Sequence, residues 1–149
     1  MPVSKAYDDL IMDHIKNARG FRVLDDATHH ADGSNPLCGD EVTVYLTLAG
    51  GQIESAAFQC TCCGISMASA SIMIESVRGK GRAEVRAWLA EFVAALAAHA
   101  EAAPPGAGDA HYALLETVRQ FPARTRCAML PWVTLEAALD NRSEPVAVT

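Results

Sequence analysis

The sequence predicts an α+β domain, a small antiparallel sheet of about three strands packed against several α-helices. Three observations carry that expectation. Val42, Val44, Leu46 and Leu48 alternate with Thr43, Tyr45 and Thr47, which is the period of a half-buried strand. Gly50-Gly51 then offers a tight hairpin turn into QIESAAFQC, a second strand. Downstream, Val85, Trp88, Leu89, Phe92, Val93 and Leu96 recur at helical spacing as one apolar stripe.

Taken in chain order, Ser4 is a candidate N-cap for a first helix with Tyr7, Ile11, His14 and Ile15 on one side, and Gly20 stops it. Residues 25–40, DDATHHADGSNPLCGD, are polar and rich in turn formers and read as an exposed loop. After the hairpin, Cys60 to Gly64 leaves the end of the sheet, and a helix follows from about Ile65 to Val77. Serine and alanine crowd its first two turns and allow another backbone to pack closely. Gly79 and Gly81 separate it from the striped helix. EAAPPGAGDA at 101–110 is a connector within a single domain that spans 1–149. A helix from about Asp109 to Gln120 offers Leu114, Leu115 and Val118 to the core, and Pro122 ends it. A last helix is expected to start near Leu130, with Pro131 in its first turn and Val133, Leu135 and Leu139 as its apolar positions. The tail, 141–149, reads as frayed and flexible. No internal repeat is visible.

Composition narrows the function. The 149 residues carry a formal charge of −6, which disfavours nucleic acid or an anionic membrane as partner. No apolar run reaches the roughly 18 residues of a membrane span, and MPVSKAYDDL lacks the apolar segment of a secretory signal. The five cysteines are odd in number and bunched at 60, 62 and 63. They read as metal-binding or reactive thiols in a reducing cytoplasm rather than as a disulfide framework.

Four separated residues then stand out: Cys38 and Asp40 in NPLCGD, Cys63 in CTCCGIS, and Cys127 in FPARTRCAML. Three thiols and one carboxylate suit a tetrahedral metal site or a small iron–sulfur cluster, provided the fold brings them together. By residues alone, buried inert cysteines with a loop aspartate acting as a cap are the favoured reading. Placed at helix N-termini, thiolates at 63 and 127 would be stabilised before any metal arrives. His29 and His30 read as solvated loop residues, His14 as a helix packing residue, and His99 and His111 as chemically silent. Trp88 and Trp132 read as core, although Trp132 could also belong to a docking surface. Met67 and Met73 read as packing. Arg124 and Arg126 either stabilise the Cys127 thiolate and meet an incoming persulfide or form surface ion pairs.

The segments MDHIKNARG, NPLCGDEV, FQCTCCGISMASASIMIESVRGKG and FPARTRCAMLPWVTLEAAL occur in the order, and over nearly the whole length, of the IscU/SufU/NifU N-terminal family of iron–sulfur assembly proteins, which the chain resembles. The resemblance implies a SufE/NifU-like fold. It also implies that Cys38, Asp40, Cys63 and Cys127 are metal or cluster ligands, and that the partner is a pyridoxal-phosphate-dependent cysteine desulfurase. A downstream iron–sulfur carrier or apo-protein would receive the product. The IscU branch carries histidine where this chain has Arg126. The SufU branch has a basic residue there, a PAR segment like Pro122–Arg124 and an insertion like 97–113. The closer resemblance is therefore to the SufU-type, zinc-dependent sulfurtransferase branch.

That branch implies a zinc site with Cys38 as sulfur acceptor, because Cys38 sits in a loop beside Asp40, the hardest and most exchangeable ligand of a soft set. The alternatives are a scaffold that assembles and releases a [2Fe–2S] cluster on the same residues, and a thiol redox or metal-storage module using Cys60, Cys62 and Cys63. The family has glycine where this chain has Cys60 and Cys62. Those two cysteines could be alternative ligands, a persulfide relay, a disulfide-forming pair or inert substitutes, and they would share a side if the strand continues. Gly64 in place of serine, Ala18 and Gly20 in place of proline and asparagine, and Pro131 in place of a small residue are further departures.

Overall fold

The computed structural model describes residues 5–148. A first helix, α1 (Lys5–Lys16), precedes three antiparallel strands, β1 (His29–Asn35), β2 (Asp40–Ala49) and β3 (Gln52–Thr61). Helices α2 (Gly64–Val77), α3 (Arg82–Ala97), α4 (Asp109–Gln120) and α5 (Thr125–Leu139) follow, with a 3-10 turn at Pro122–Arg124 and a short final strand, β4 (Val146–Ala147). The sheet order is β3-β2-β1-β4. The expected N-cap, Ser4, lies outside the described residues. No described helix is long and apolar enough to cross a membrane.

The β2–β3 hairpin forms where its alternation places it. Val42, Val44 and Leu46 are buried, and Gly50 and Gly51 both take the positive φ values (60° and 79°) that a two-residue turn of this hand requires. The apolar stripe of α3 is likewise used as expected, with Val85, Leu89, Phe92 and Leu96 buried. Trp132 is wholly buried and packs edge-on against Phe92, ring centroids 4.7 Å apart, with Trp88 beside it, so it belongs to the core rather than to a docking surface.

Three expectations are corrected. The stretch 25–40 is not all loop, because His29–Asn35 pairs along β2 from His29↔Leu46 to Asn35↔Asp40. His29 and His30 are accordingly strand residues. The strand lacks apolar bulk because α5 lies directly on it: a Cβ on Gly33 would sit 1.9 Å from Thr134 Oγ1. Only small inward residues (Ala31, Gly33, Asn35) fit there, so strand propensity is overridden by packing.

The tail does not fray throughout. Val146–Ala147 pairs in parallel with Gly33 and Ser34, the Val148 amide donates to Ser34 O (3.0 Å), and Val148 is buried. It covers the free edge of β1, which raises the sheet to four strands.

The last helix starts at Thr125, not near Leu130, and Pro131 lies inside it. Proline in a helix interior leaves the carbonyl four residues earlier without its N–H donor. That carbonyl belongs to Cys127, and the Ser66 hydroxyl on α2 donates to it at 2.8 Å. Ser69 Oγ similarly donates to Ala128 O at 2.6 Å. The small residues of α2 thus let the two helices approach until the Ser66 hydroxyl replaces the donor that Pro131 lacks and Ser69 adds a second bond between the helices.

Candidate metal centre

One end of the sheet meets the N-terminal turns of α2 and α5, and there the candidate ligands converge. Cys38 lies in the exposed turn between β1 and β2, and Asp40 opens β2 and is buried. Cys63 is the N-cap of α2, and Cys127 is buried in the first turn of α5. Cys38 Sγ lies 3.7 Å from Cys127 Sγ and 3.4 Å from Asp40 Oδ2. The ligand atoms of Cys38, Asp40 and Cys127 all fall within 4.8 Å of one another. Cys63 stands at the rim of this group. Its amide donates to Asp40 Oδ1 (3.2 Å), its Sγ is 3.8 Å from Ser66 Oγ, and its thiol bears on Cys127.

The electrostatics of Cys127 run against the sequence expectation. Burial, reinforced by the neighbouring Cys63 and Cys38, pushes its thiol up to about 12. Desolvation at a site 3% exposed outweighs the fraction of a kcal/mol that a helix N-terminus supplies. Without a cation Cys127 is a thiol, and binding one must release its proton.

Two residues that the sequence reading did not single out complete the surroundings. Asn35 is buried, and its Nδ2 donates to Cys38 Sγ (2.9 Å) and reaches Cys127 Sγ at 3.9 Å, while its Oδ1 has no partner among the described residues. Ser66 is buried between Cys127 O and Asp40 Oδ2, the latter at 3.2 Å. An amide aimed at two sulfurs and a hydroxyl beside the carboxylate orient the donors as outer-shell groups do around a metal. Both residues lie within the motif words NPLCGD and CTCCGIS, the one available signal.

Arg124 and Cys63 line one side of an open hollow of about 360 Å³, together with Asp8, Ile65, Thr117 and the exposed Phe121. Arg126 is exposed in the first turn of α5. Cys60 and Cys62 fall on one side of the chain and are joined by a disulfide. His14 is buried against Ser71 Oγ (2.6 Å), and burial holds it below its ordinary value. His111 packs on Trp88 and bonds Ser76 Oγ (2.7 Å), far from a ligand role, while His99 bonds Thr125 Oγ1 (2.8 Å).

With this geometry in hand, the chain can be set beside known proteins. The NifU-like N terminal domain family matches residues 6–128. The iron–sulfur cluster assembly scaffold protein IscU of Thermotoga maritima is 36% identical over 140 residues, 93% of this chain and 96% of that protein. The zinc-dependent sulfurtransferase SufU of Bacillus subtilis is 37% identical over 130 residues, 87% of this chain and 86% of that protein. Among solved structures, a SufU-type protein from Fervidobacterium islandicum, described as an iron–sulfur cluster assembly scaffold for the SUF system, superposes with a TM-score of 0.78 at 32% identity. The match covers 88% of this chain and 94% of that one.

Proposed function

This chain belongs to the NifU-like N-terminal domain family, and on that premise we propose that it accepts persulfide sulfur for iron–sulfur cluster assembly at a Cys3Asp zinc site. A pyridoxal-phosphate-dependent cysteine desulfurase supplies the sulfur, and an iron–sulfur carrier or apo-protein receives it. A cytoplasmic location goes with this reading. The observation that carries it is the exposed Cys38 thiol held against the buried Asp40 and Cys127.

The donor set suits zinc. A tetrahedral ion with Zn–S of about 2.3 Å and Zn–O of about 2.0 Å needs sulfur–sulfur edges near 3.8 Å and sulfur–oxygen edges near 3.5 Å. The two edges that run from Cys38 are 3.7 Å to Cys127 and 3.4 Å to Asp40, and the three ligand atoms lie within 4.8 Å of one another. Cys38, Asp40 and Cys127, with Cys63 as fourth ligand, would hold the ion. When bound it keeps thiolates deprotonated without oxidising them.

The chemistry of acceptance then belongs to the side chains. Held as a thiolate, Cys38 has no proton to give up, and Asp40 Oδ2, 3.4 Å from its sulfur, is the harder donor that can exchange away to free it. Asn35 Nδ2 steadies the resulting sulfur anion. Cys38 attacks the outer sulfur of the donor persulfide, forming one S–S bond as the donor's breaks. Arg124 offers one cation to an incoming anionic persulfide on the hollow that Cys63 lines, opposed there by the carboxylate of Asp8.

The experiment pairs metal analysis with sulfur transfer. Protein purified without oxygen should hold about one zinc per chain and no acid-labile sulfide, the content a single four-ligand site predicts. Cys38→Ala should abolish acceptance, and acceptance that persists in a folded, zinc-bearing variant refutes the role of Cys38. Iron with matching sulfide would favour the second reading, a [2Fe–2S] scaffold on the same residues, which the scaffold named in Thermotoga maritima supports.

A further inference from the structure

Two cysteines remain outside the candidate ligand set, and the fold places them against it. In the β2–β3 ladder Val42 faces Cys60 and Glu41 faces Thr61, the last pair, and Cys62 follows directly as the chain leaves β3 toward Cys63. Cys60 lies beside Val42 in the ladder, and Cys62 turns back onto Cys60 just past the strand end, with their Cα atoms 5.5 Å apart. The peptide bond after Cys62 carries the Cys63 amide that donates to Asp40 Oδ1 (3.2 Å). Both sulfurs are half-buried and joined to each other. The chain thus holds a dithiol/disulfide pair one peptide unit from the sulfur-handling centre.

Sulfur arriving as a persulfide is sulfane sulfur, at oxidation level zero, whereas the bridging sulfur of a cluster is sulfide. Each atom must gain two electrons. A dithiol that closes to a disulfide releases two. We propose that Cys60 and Cys62 are a built-in reductant that converts the sulfane sulfur accepted at Cys38 to sulfide. This rests on Cys38 acceptance as read above.

The steps balance. The Cys62 thiolate attacks the outer sulfur of the Cys38 persulfide, a Cys62–S bond forms, the Cys38–S bond breaks, and Cys38 leaves as thiolate and takes up the proton Cys62 gave up. The Cys60 thiolate then attacks Cys62 Sγ, forming the Cys60–Cys62 disulfide and breaking the bond to the transferred sulfur. That sulfur leaves as hydrosulfide with the electron pair, and the proton of Cys60 accompanies it. The two cysteines are oxidised and the sulfane sulfur is reduced. The bonded pair in the structure is the end state of this sequence, and an external dithiol protein of the thioredoxin class would reset it.

The test uses the full chain, reduced and freed of reductant without oxygen. It is loaded either by a cysteine desulfurase with cysteine or by inorganic polysulfide, and then stripped of the donor. Sulfane sulfur, sulfide and free thiols are followed in time, and the sulfur-bearing cysteine is mapped by mass. Wild type should convert sulfane sulfur to sulfide one for one, with loss of two thiols mapped to Cys60 and Cys62. Cys60→Ser should stall with sulfur on Cys62, and Cys62→Ser with sulfur on Cys38, each slowing sulfide release by at least about tenfold.

Wild-type sulfide release in Cys60→Ser/Cys62→Ser overturns the proposal. So does a wild-type chain that keeps its Cys38 persulfide while Cys60 and Cys62 stay reduced. Either result leaves acceptance at Cys38 standing. Failure of both donors to load Cys38 refutes the acceptor reading instead, and the inference falls with it. Thermal melting of each variant separates a stalled reaction from a misfolded chain.

Discussion

Replacing Ser66 by alanine removes the hydroxyl that donates to Cys127 O at 2.8 Å and lies 3.2 Å from Asp40 Oδ2. Because Pro131 has no N–H, the Cys127 carbonyl has no intrahelical donor to fall back on. A buried acceptor left without a partner costs about 1–3 kcal/mol, so Ser66→Ala should destabilise by that amount. For a chain of this length each kcal/mol lowers Tm by roughly 2–4 °C.

Pro131→Ala restores the missing N–H. Alone it should be near neutral, since Ser66 already serves the carbonyl and the unfolded chain gains back about 0.4–1 kcal/mol of entropy. In the Ser66→Ala background it should recover stability, giving a coupling of about 1 kcal/mol between the two sites. Urea titrations of the four proteins at one pH, with metal chelated and slopes compared, measure the cycle. Strict additivity, to within about 0.3 kcal/mol, would refute the idea that α2 supplies the bond that proline removes.

Other consequences can be checked independently. Gly33→Ala should destabilise by about 1–3 kcal/mol or more, because its Cβ would lie 1.9 Å from Thr134 Oγ1; Gly33→Ala/Thr134→Ala should win part of this back in the same melts. Asp40→Cys, a four-thiolate set, should hold zinc at least about tenfold more tightly in chelator competition while slowing sulfur acceptance; unchanged zinc affinity would argue against Asp40 as a ligand. His111 is held down to about 4 by burial and by Lys80. Its neutral ring therefore contributes stability that is full above its ordinary 6.5 and lost as pH falls toward 4, when the unfolded chain takes the proton first. The loss is on the order of 2–3 kcal/mol, and His111→Gln should flatten that part of the stability–pH curve.

Cys38, Asp40, Cys63 and Cys127 were legible as candidates because each sits in a recognisable word of the sequence, and the fold gathers Cys38, Asp40 and Cys127 within 4.8 Å with Cys63 at the rim. The hairpin and the helices were legible for a similar local reason: alternation at Val42–Leu48 and the apolar stripe of α3 are periodicities written into neighbouring residues. The two glycines of the turn account for the pairs Ala49↔Gln52 and Leu48↔Ile53, whereas the one-residue shift between Leu48 and Thr47 that sets the rest of the ladder was not legible in the sequence.

Tertiary structure alone decided the rest. β1 is a strand because it pairs along β2, and it lacks apolar bulk because α5, a helix a hundred residues away, leaves room at Gly33 for nothing larger than hydrogen. Val146–Val148 is ordered because β1 has an edge to cover. The last helix runs through Pro131 with the Cys127 carbonyl satisfied by Ser66 on another helix. The acidity of Cys127 was set by the thiols and apolar walls that folding brought around it, not by its place at a helix N-terminus. Local periodicity and chemical identity reside in the chain; donors, clashes and dielectric arise only when distant segments meet.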